Sequence, residues 1–193
     1  MSDGAPSKQR RATYADILDV PSHRVAEIID GTLVTSPRPA SPHARTTSRL
    51  STSLSTPFDI GSGGPGGWII LFEPELHFGP DPDLDVLVPD LAGWRRERMP
   101  EMPQTAAFRL APDWVCEVIS ASTEAHDRAG KMPIYAREGV QHLWLCNPLL
   151  QTLEVFRLDG GAWKLLAVHR GARRVAVPPF EAVELDLALL WER

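Results

Sequence analysis

The sequence predicts an α/β fold: a mixed central β-sheet flanked by helices, with additional antiparallel β-hairpins toward the C-terminal side. Three observations lead there. The most apolar run, WVCEVI at 114–119, suits a strand buried on both faces. Shorter β-rich runs are punctuated by Asp-Gly and Gly-Gly pairs, the chemistry of hairpin turns. Helical stretches with recognisable start and stop signals lie between them. With 193 residues, 43% of them hydrophobic, the chain can build one sizeable core and asks for no second domain.

Taken in order, residues 1–12 lack apolar periodicity and are expected to form a disordered tail, leaving 13–193 as a single domain. Thr13 can cap a short helix through Leu18, with Asp16 at the third helical position. Residues 24–35 hold two β-rich runs joined by Asp30-Gly31, which accept the positive φ angles of a type I′ turn. Ser41-Pro42 reads as an N-cap followed by proline in the first turn of a helix over 43–54. The glycine-rich segment 61–67 is a loop and no phosphate-binding motif, because no Lys-Ser or Lys-Thr follows and 68–78 is strand-like. A further loop leads into an apolar run at 84–88, which Pro89 stops. After the run at 114–119 comes a helix through about Glu138, ended by Gly139 in a left-handed C-cap. The remaining runs at 142–146, 152–158, 163–168 and 174–177 read as strands, with 159–161 as a hairpin turn.

Composition narrows the function classes. No run of about 18 apolar residues exists, and the polar start is not a secretory signal, so a cytoplasmic protein without a membrane partner is expected. Cys116 and Cys146 sit inside apolar strands and read as small buried hydrophobes, which argues against zinc or a disulfide framework. The net charge of −5 gives no overall basic excess for nucleic acid, although Arg95, Arg96 and Arg98, and residues 170–174, form local basic clusters.

Two carboxylates carry the chemical signal. Glu117, inside WVCEVI, loses its hydration on burial and must be paired, protonated or bound to a metal. Asp90 follows Pro89 at the end of an apolar run, where proline stops the ladder and turns the acid outward. Two carboxylates from adjacent strands can hold one Mg²⁺ while waters complete its octahedron. Asp127 and Lys131 lie four residues apart, and spacing alone makes them a surface salt bridge. Asp81, Asp83 and Asp85 alternate but lack the glycine and distal glutamate of a calcium loop. Trp144 and Trp163 read as core or dimer-interface residues.

The pieces EIIDGTLV at 27–34, SPH at 41–43, VPDL at 88–91, WVCEVIS at 114–120, Ser122-Thr123, Asp127 with Lys131, YAREGV at 135–140 and LWLCNP at 143–148 occur in a specific order and spacing. Over 14 to about 158 the chain thereby resembles a large bacterial family of restriction endonucleases in the PD-(D/E)XK nuclease superfamily. The resemblance implies a restriction-endonuclease-like fold and an endonuclease that hydrolyses phosphodiester bonds of DNA with Mg²⁺, for which Mn²⁺ can substitute. It implies Asp90 and Glu117 as metal ligands and Glu27 as an acid joining from the first hairpin. The superfamily's lysine normally lies two residues after the acid, where this chain has Ile119, and Lys131 on the following helix matches the displaced position. Pro133 close behind it would kink a helix interior but is tolerated in a first turn. Asn147 stands where the family usually has Asp, outside the site. DNA and a second copy of the chain are the partners expected. The alternatives are an accessory nucleic-acid-binding protein that keeps the fold with little activity, and a structural homodimer whose acids make only ion pairs.

Overall fold

Residues 10–192 are described by the computed structural model. Most of the expected tail lies outside them. Of its end, Ala12 donates its N–H to the Gly31 carbonyl at 2.7 Å, and Arg10 meets Asp16 at 2.6 Å. Helix α1 (Tyr14–Leu18) starts as expected: the Thr13 N–H donates to the Asp16 carboxylate at 2.7 Å. Strands β1 (Arg24–Ile29) and β2 (Thr32–Pro37) pair antiparallel across a turn in which Asp30 has φ 49° and Gly31 φ 75°, the type I′ geometry.

Helix α2 (Ser41–Leu54) begins one position earlier than expected, with Ala40 rather than Ser41 as its N-cap, and runs on into a π-helical turn, Ser55–Ile60. The strand-like run 68–78 is two strands, β3 (Trp68–Phe72) and β4 (Glu75–Phe78), and they lie in different sheets. Glu73, at φ 45°, and Pro74 break the run. A second switch follows. The short β5 (Asp85–Leu87) pairs with β4 and β1, whereas β6 (Leu91–Arg95) pairs with β3. Asp90 therefore opens a strand of the other sheet, a correction to the reading that it closes the apolar run before it. The two switch points are tied together, since the Glu73 N–H donates to the Asp90 carbonyl at 3.2 Å.

After β7 (Ala107–Phe108) comes β8 (Trp114–Val118), whose five residues are all buried. A π-helical turn, His126–Lys131, leads directly into α3 (Met132–Arg137). Strands β9 (His142–Asn147), β10 (Thr152–Asp159) and β11 (Ala162–Arg170) follow as an antiparallel series. Asn147 serves a local turn, its side-chain oxygen accepting from the N–H groups of Leu149 and Leu150. The chain ends in β12 (Arg174–Val175), β13 (Leu185–Asp186) and α4 (Leu187–Trp191), of which β13 and α4, like β6 and β7, were not anticipated.

The six-stranded sheet has the order β11-β10-β9-β8-β6-β3 and the five-stranded one β2-β1-β5-β4-β7, while β12 and β13 form a two-stranded ribbon. Both larger sheets are mixed: β8 and β9 run parallel, as do β4 and β7, and the other pairings are antiparallel. One face of the six-stranded sheet packs against α2 and α4 through Leu50, Leu54, Leu187 and Leu190. Its other face meets the five-stranded sheet and α3 through Leu76, Leu87, Val115, Ile134 and Leu143. Period-2 alternation thus sends Trp114 and Cys116 one way and Val115 and Glu117 the other.

Phe180, in the loop before β13, closes the first of these cores. Its ring lies 4.7 to 5.6 Å, centroid to centroid, from Phe58, Trp68, Trp114 and Trp144. Truncation there removes an aromatic hub without leaving room for its rigid neighbours to collapse. Phe180→Ala is expected to cost about 3–5 kcal/mol of unfolding free energy, measured by urea denaturation; a loss below about 1 kcal/mol would show that the loop does not anchor the sheet.

Candidate active site

Glu117 lies in the middle of the sheet, 2% exposed, and its two oxygens are taken up from α3 and the turn before it. Tyr135 donates its hydroxyl to Oε1 at 2.6 Å, and the Lys131 ammonium lies 3.1 Å from Oε2. The same ammonium is 3.1 Å from Oε1 of Glu27 and 3.2 Å from Oδ1 of Asp127. Glu27, Glu117, Asp127 and Lys131 are all buried, so the pair at 127 and 131 is no surface salt bridge, as spacing alone suggested, but part of an enclosed cluster. Glu27 reaches it from β1 and also accepts the Val88 N–H at 2.8 Å.

The π turn explains how Lys131 arrives there. A wide turn adds a residue to the helical repeat, and such bulges frequently occur at functional sites. Pro133 is the second residue of α3 but follows the π turn without a break, so it stands inside a continuous helical segment that lacks an N–H donor at that position. Gly130 permits the close approach to β1, because a Cβ there would stand 3.0 Å from Ile29 Cγ2.

Asp90 lines the same cavity, of about 180 Å³, as Glu27, Glu117, Asp127 and Lys131. Among the described residues it forms no ion pair with Lys131. One of its oxygens accepts the Val118 N–H at 2.7 Å and the other lies 3.2 Å from Nε2 of His43. Its adjacency to Glu117 comes through β6, where Leu91 pairs with Cys116. His43 faces the site from the first turn of α2, and Glu73 lines the cavity as well. Sequence reasoning gave Tyr135 and Glu73 no role. Tyr135 carried a usable signal, since it lies four residues after Lys131 and shares its helix face.

Burial and charge pull against each other throughout. Burial drives the Glu117 carboxyl well above its usual range; Lys131 partly offsets this, while Asp127, Asp90 and Glu27 add to it. Burial disfavours the Lys131 ammonium, but Glu117, Glu27 and Asp127 outweigh it and hold Lys131 well above its ordinary value. Burial also disfavours a charged His43, yet Asp90, then Asp127 and Glu73, leave it raised. One ammonium faces three carboxylates, so the cluster is rich in negative charge. The oxygen donors of Asp90 and Glu117 suit a hard divalent cation, which takes one or two carboxylates and keeps several waters. Each engaged oxygen retains acceptor capacity. Among the described residues no group of three or more His, Cys, Asp and Glu side chains is arranged to hold a metal ion.

Two substitutions separate the charges. Lys131→Met leaves three buried carboxylates without their cation and is expected to cost about 3–5 kcal/mol. Glu117→Gln keeps the acceptor for Tyr135 and removes a charge that burial opposes, so it is expected to melt higher than wild type near pH 8 in chelator. Because the folded-state pKa of Glu117 is raised, the wild type loses stability as pH climbs above the ordinary carboxylate range, near pH 4, and the advantage of Glu117→Gln shrinks as pH falls toward it. Thermal melts across pH check both; a Glu117→Gln protein less stable than wild type at pH 8 would contradict the charge balance.

Residues 12–189 match the family described as "Putative restriction endonuclease". A solved structure from Anabaena variabilis, described as that of a putative nuclease, is 23% identical, with the match covering 93% of this chain and 97% of that one at a TM-score of 0.72. At that identity the likeness speaks for the fold. No curated protein matches the chain. With the family match running from the residue before Thr13 into α4, the chain belongs to the putative restriction endonuclease family.

Proposed function

We propose that the protein is a Mg²⁺-dependent endonuclease acting on DNA, with Mn²⁺ able to substitute. The observation that carries this reading is the convergence of Asp90, Glu117, Glu27 and Lys131 on one cavity at the seam of the two sheets. Membership of the restriction endonuclease family and the fold shared with the Anabaena variabilis protein support it.

Asp90 and Glu117 are the residues that would hold the metal. A bound divalent cation supplies Lewis acidity toward a phosphoryl oxygen and lowers the pKa of a bound water. The chain's own residues do the rest. Lys131 offers a fixed cation to the developing negative charge, already oriented by Glu27 and Asp127. Tyr135 holds one oxygen of Glu117 by its hydroxyl, which fixes the rotamer of the ligand. Val118 does the same for Asp90 through its backbone N–H.

One observation favours the accessory-protein alternative. Lys131 is already engaged by three carboxylates, so its charge is spent inside the protein unless substrate or metal rearranges the cluster. The two readings separate in one experiment. Asp90→Asn and Glu117→Gln are expected to lower Mg²⁺-dependent cleavage of DNA by about 100-fold or more, on the scale of losing a principal electrostatic group, and to abolish the Mn²⁺ binding heat seen with wild type. DNA binding without cleavage by the wild-type protein would support the accessory reading, and cleavage that survives both substitutions would sink the site.

Cytoplasmic residence and homodimerisation complete the proposal. No helix among the described residues is long and apolar enough to cross a membrane. Leu165 and Val168, exposed on the outer strand β11, give a second copy an apolar surface to meet.

A further inference from the structure

Hydrolysis of a phosphodiester needs a proton donor as well as a metal. The bond that breaks leaves its electron pair on an alkoxide oxygen, and a positioned acid that protonates this oxygen speeds its departure by about 10²–10⁴. Lys131 and the carboxylates around it lie in the buried floor of the cavity. In phosphoryl transfer the attacking and leaving oxygens stand on opposite sides of phosphorus. A phosphate seated on this floor and attacked from there turns its leaving oxygen toward the mouth.

Most groups that could serve there are already committed. Burial works against the Lys131 ammonium, yet its three carboxylates prevail and its proton stays. His43 is held at 3.2 Å from Asp90. Arg38 pairs with Glu73, and a guanidinium releases no proton in a protein. The hydroxyls of Ser122 and Thr123 are joined through Ser120 Oγ, each at 3.0 Å. Glu73 is the one rival acid, since burial raises its carboxyl against the pull of Arg38.

His126 is uncommitted. It lines the cavity from the first position of the π turn, and among the described residues its ring joins no ion pair or hydrogen bond. Its neighbours Glu124 and Arg128 are tied to one another, and Arg128 also to Glu154, so neither engages it. Thr123, His126, Asp127 and Lys131 bring one side of this helical segment to the cavity. Exposure falls along it: His126 is exposed, while Asp127 and Lys131 are buried. The turn thus descends from rim to floor with an imidazole at its upper end, and imidazole is the side chain most often used to transfer a proton in catalysis.

We infer that His126 is the general acid of the proposed reaction. As the water oxygen bonds to phosphorus and the bond from phosphorus to the leaving oxygen breaks, the imidazolium gives its proton to that oxygen. The water's own proton goes to solvent, from which the imidazole is recharged. This rests on the nuclease reading, but the two can fail separately. The test uses a DNA whose cleavage site has been mapped with the wild-type protein in Mg²⁺, made with either oxygen or sulfur at the leaving position. A thiolate departs without a proton. His126→Gln is therefore expected to lower kcat about 100-fold on the oxygen substrate and less than about threefold on the sulfur one. Its thermal melt and its Mn²⁺ binding heat are expected to match wild type, which a metal ligand or a structural residue would not allow. Undiminished cleavage by His126→Gln, an equal loss on both substrates, or lost Mn²⁺ binding overturns the inference. So does a sulfur-specific rescue in Glu73→Gln in place of His126→Gln. A wild-type protein that cleaves nothing in Mg²⁺ removes the nuclease reading and His126 with it, whereas an active wild type with an equally active His126→Gln removes His126 alone.

Discussion

A single buried ammonium governs much of this structure. Lys131 meets carboxylates from β1, from β8 and from its own helical turn, and each partner belongs to a different stretch of chain. An ammonium taken out of water is stable only where charges of opposite sign and good geometry compensate it. The reverse holds for each acid. The first hairpin, the central strand and the turn before α3 must therefore arrive together, or each would carry an uncompensated charge into the interior. The seam between the sheets is where that meeting is possible, because β1 belongs to one sheet and β8 to the other.

The seam is also where the backbone is least regular. The chain crosses from one sheet to the other at Glu73-Pro74 and again at Pro89-Asp90, and Glu73 adopts a left-handed φ of 45° that side chains rarely take. Residues in such conformations persist only where their surroundings over-determine them, and they gather at functional sites. Here Glu73 and Asp90 are joined by a backbone hydrogen bond, so the strained residue and the candidate ligand hold one another in place. A site that concentrates like charges and strained backbone gives up stability, and the aromatic core around Phe180 on the opposite face of the sheet offsets that loss.

The legible parts of this architecture were those with a local cause. Asp30-Gly31 announced its turn because few residues accept two positive φ angles, and Gly139 announced the end of α3 for the same reason. Glu117 stood out because a carboxylate in an apolar strand contradicts its neighbours. Resemblance to the family supplied Lys131 and Glu27, which no spacing would have joined to Glu117. The sheet switches were not legible. Glu73-Pro74-Glu75 interrupts the apolar run 68–78 and marks a break in the strand, but which sheet each half joins is decided by partners far away in sequence. For the same reason Asp90 was set at the end of the wrong strand, although its nearness to Glu117 was right. The π turn escaped because it differs from an α turn by one residue and not by composition.

That one residue has a consequence for how the protein can change. Asp127, Lys131 and Tyr135 all direct side chains at a common point, from a segment in which a wide turn passes into an ordinary helix. Loss of a single residue inside the turn would return it to the usual repeat, and because a π turn accommodates one extra residue, the chain on either side would keep its direction relative to α3. The helix would survive and the composition would barely change, but Lys131 would be carried on a narrower turn, and its present contacts with Glu27, Glu117 and Asp127 depend on the spacing that the wide turn sets. The length of this turn is therefore as much a part of the site as the side chains it carries.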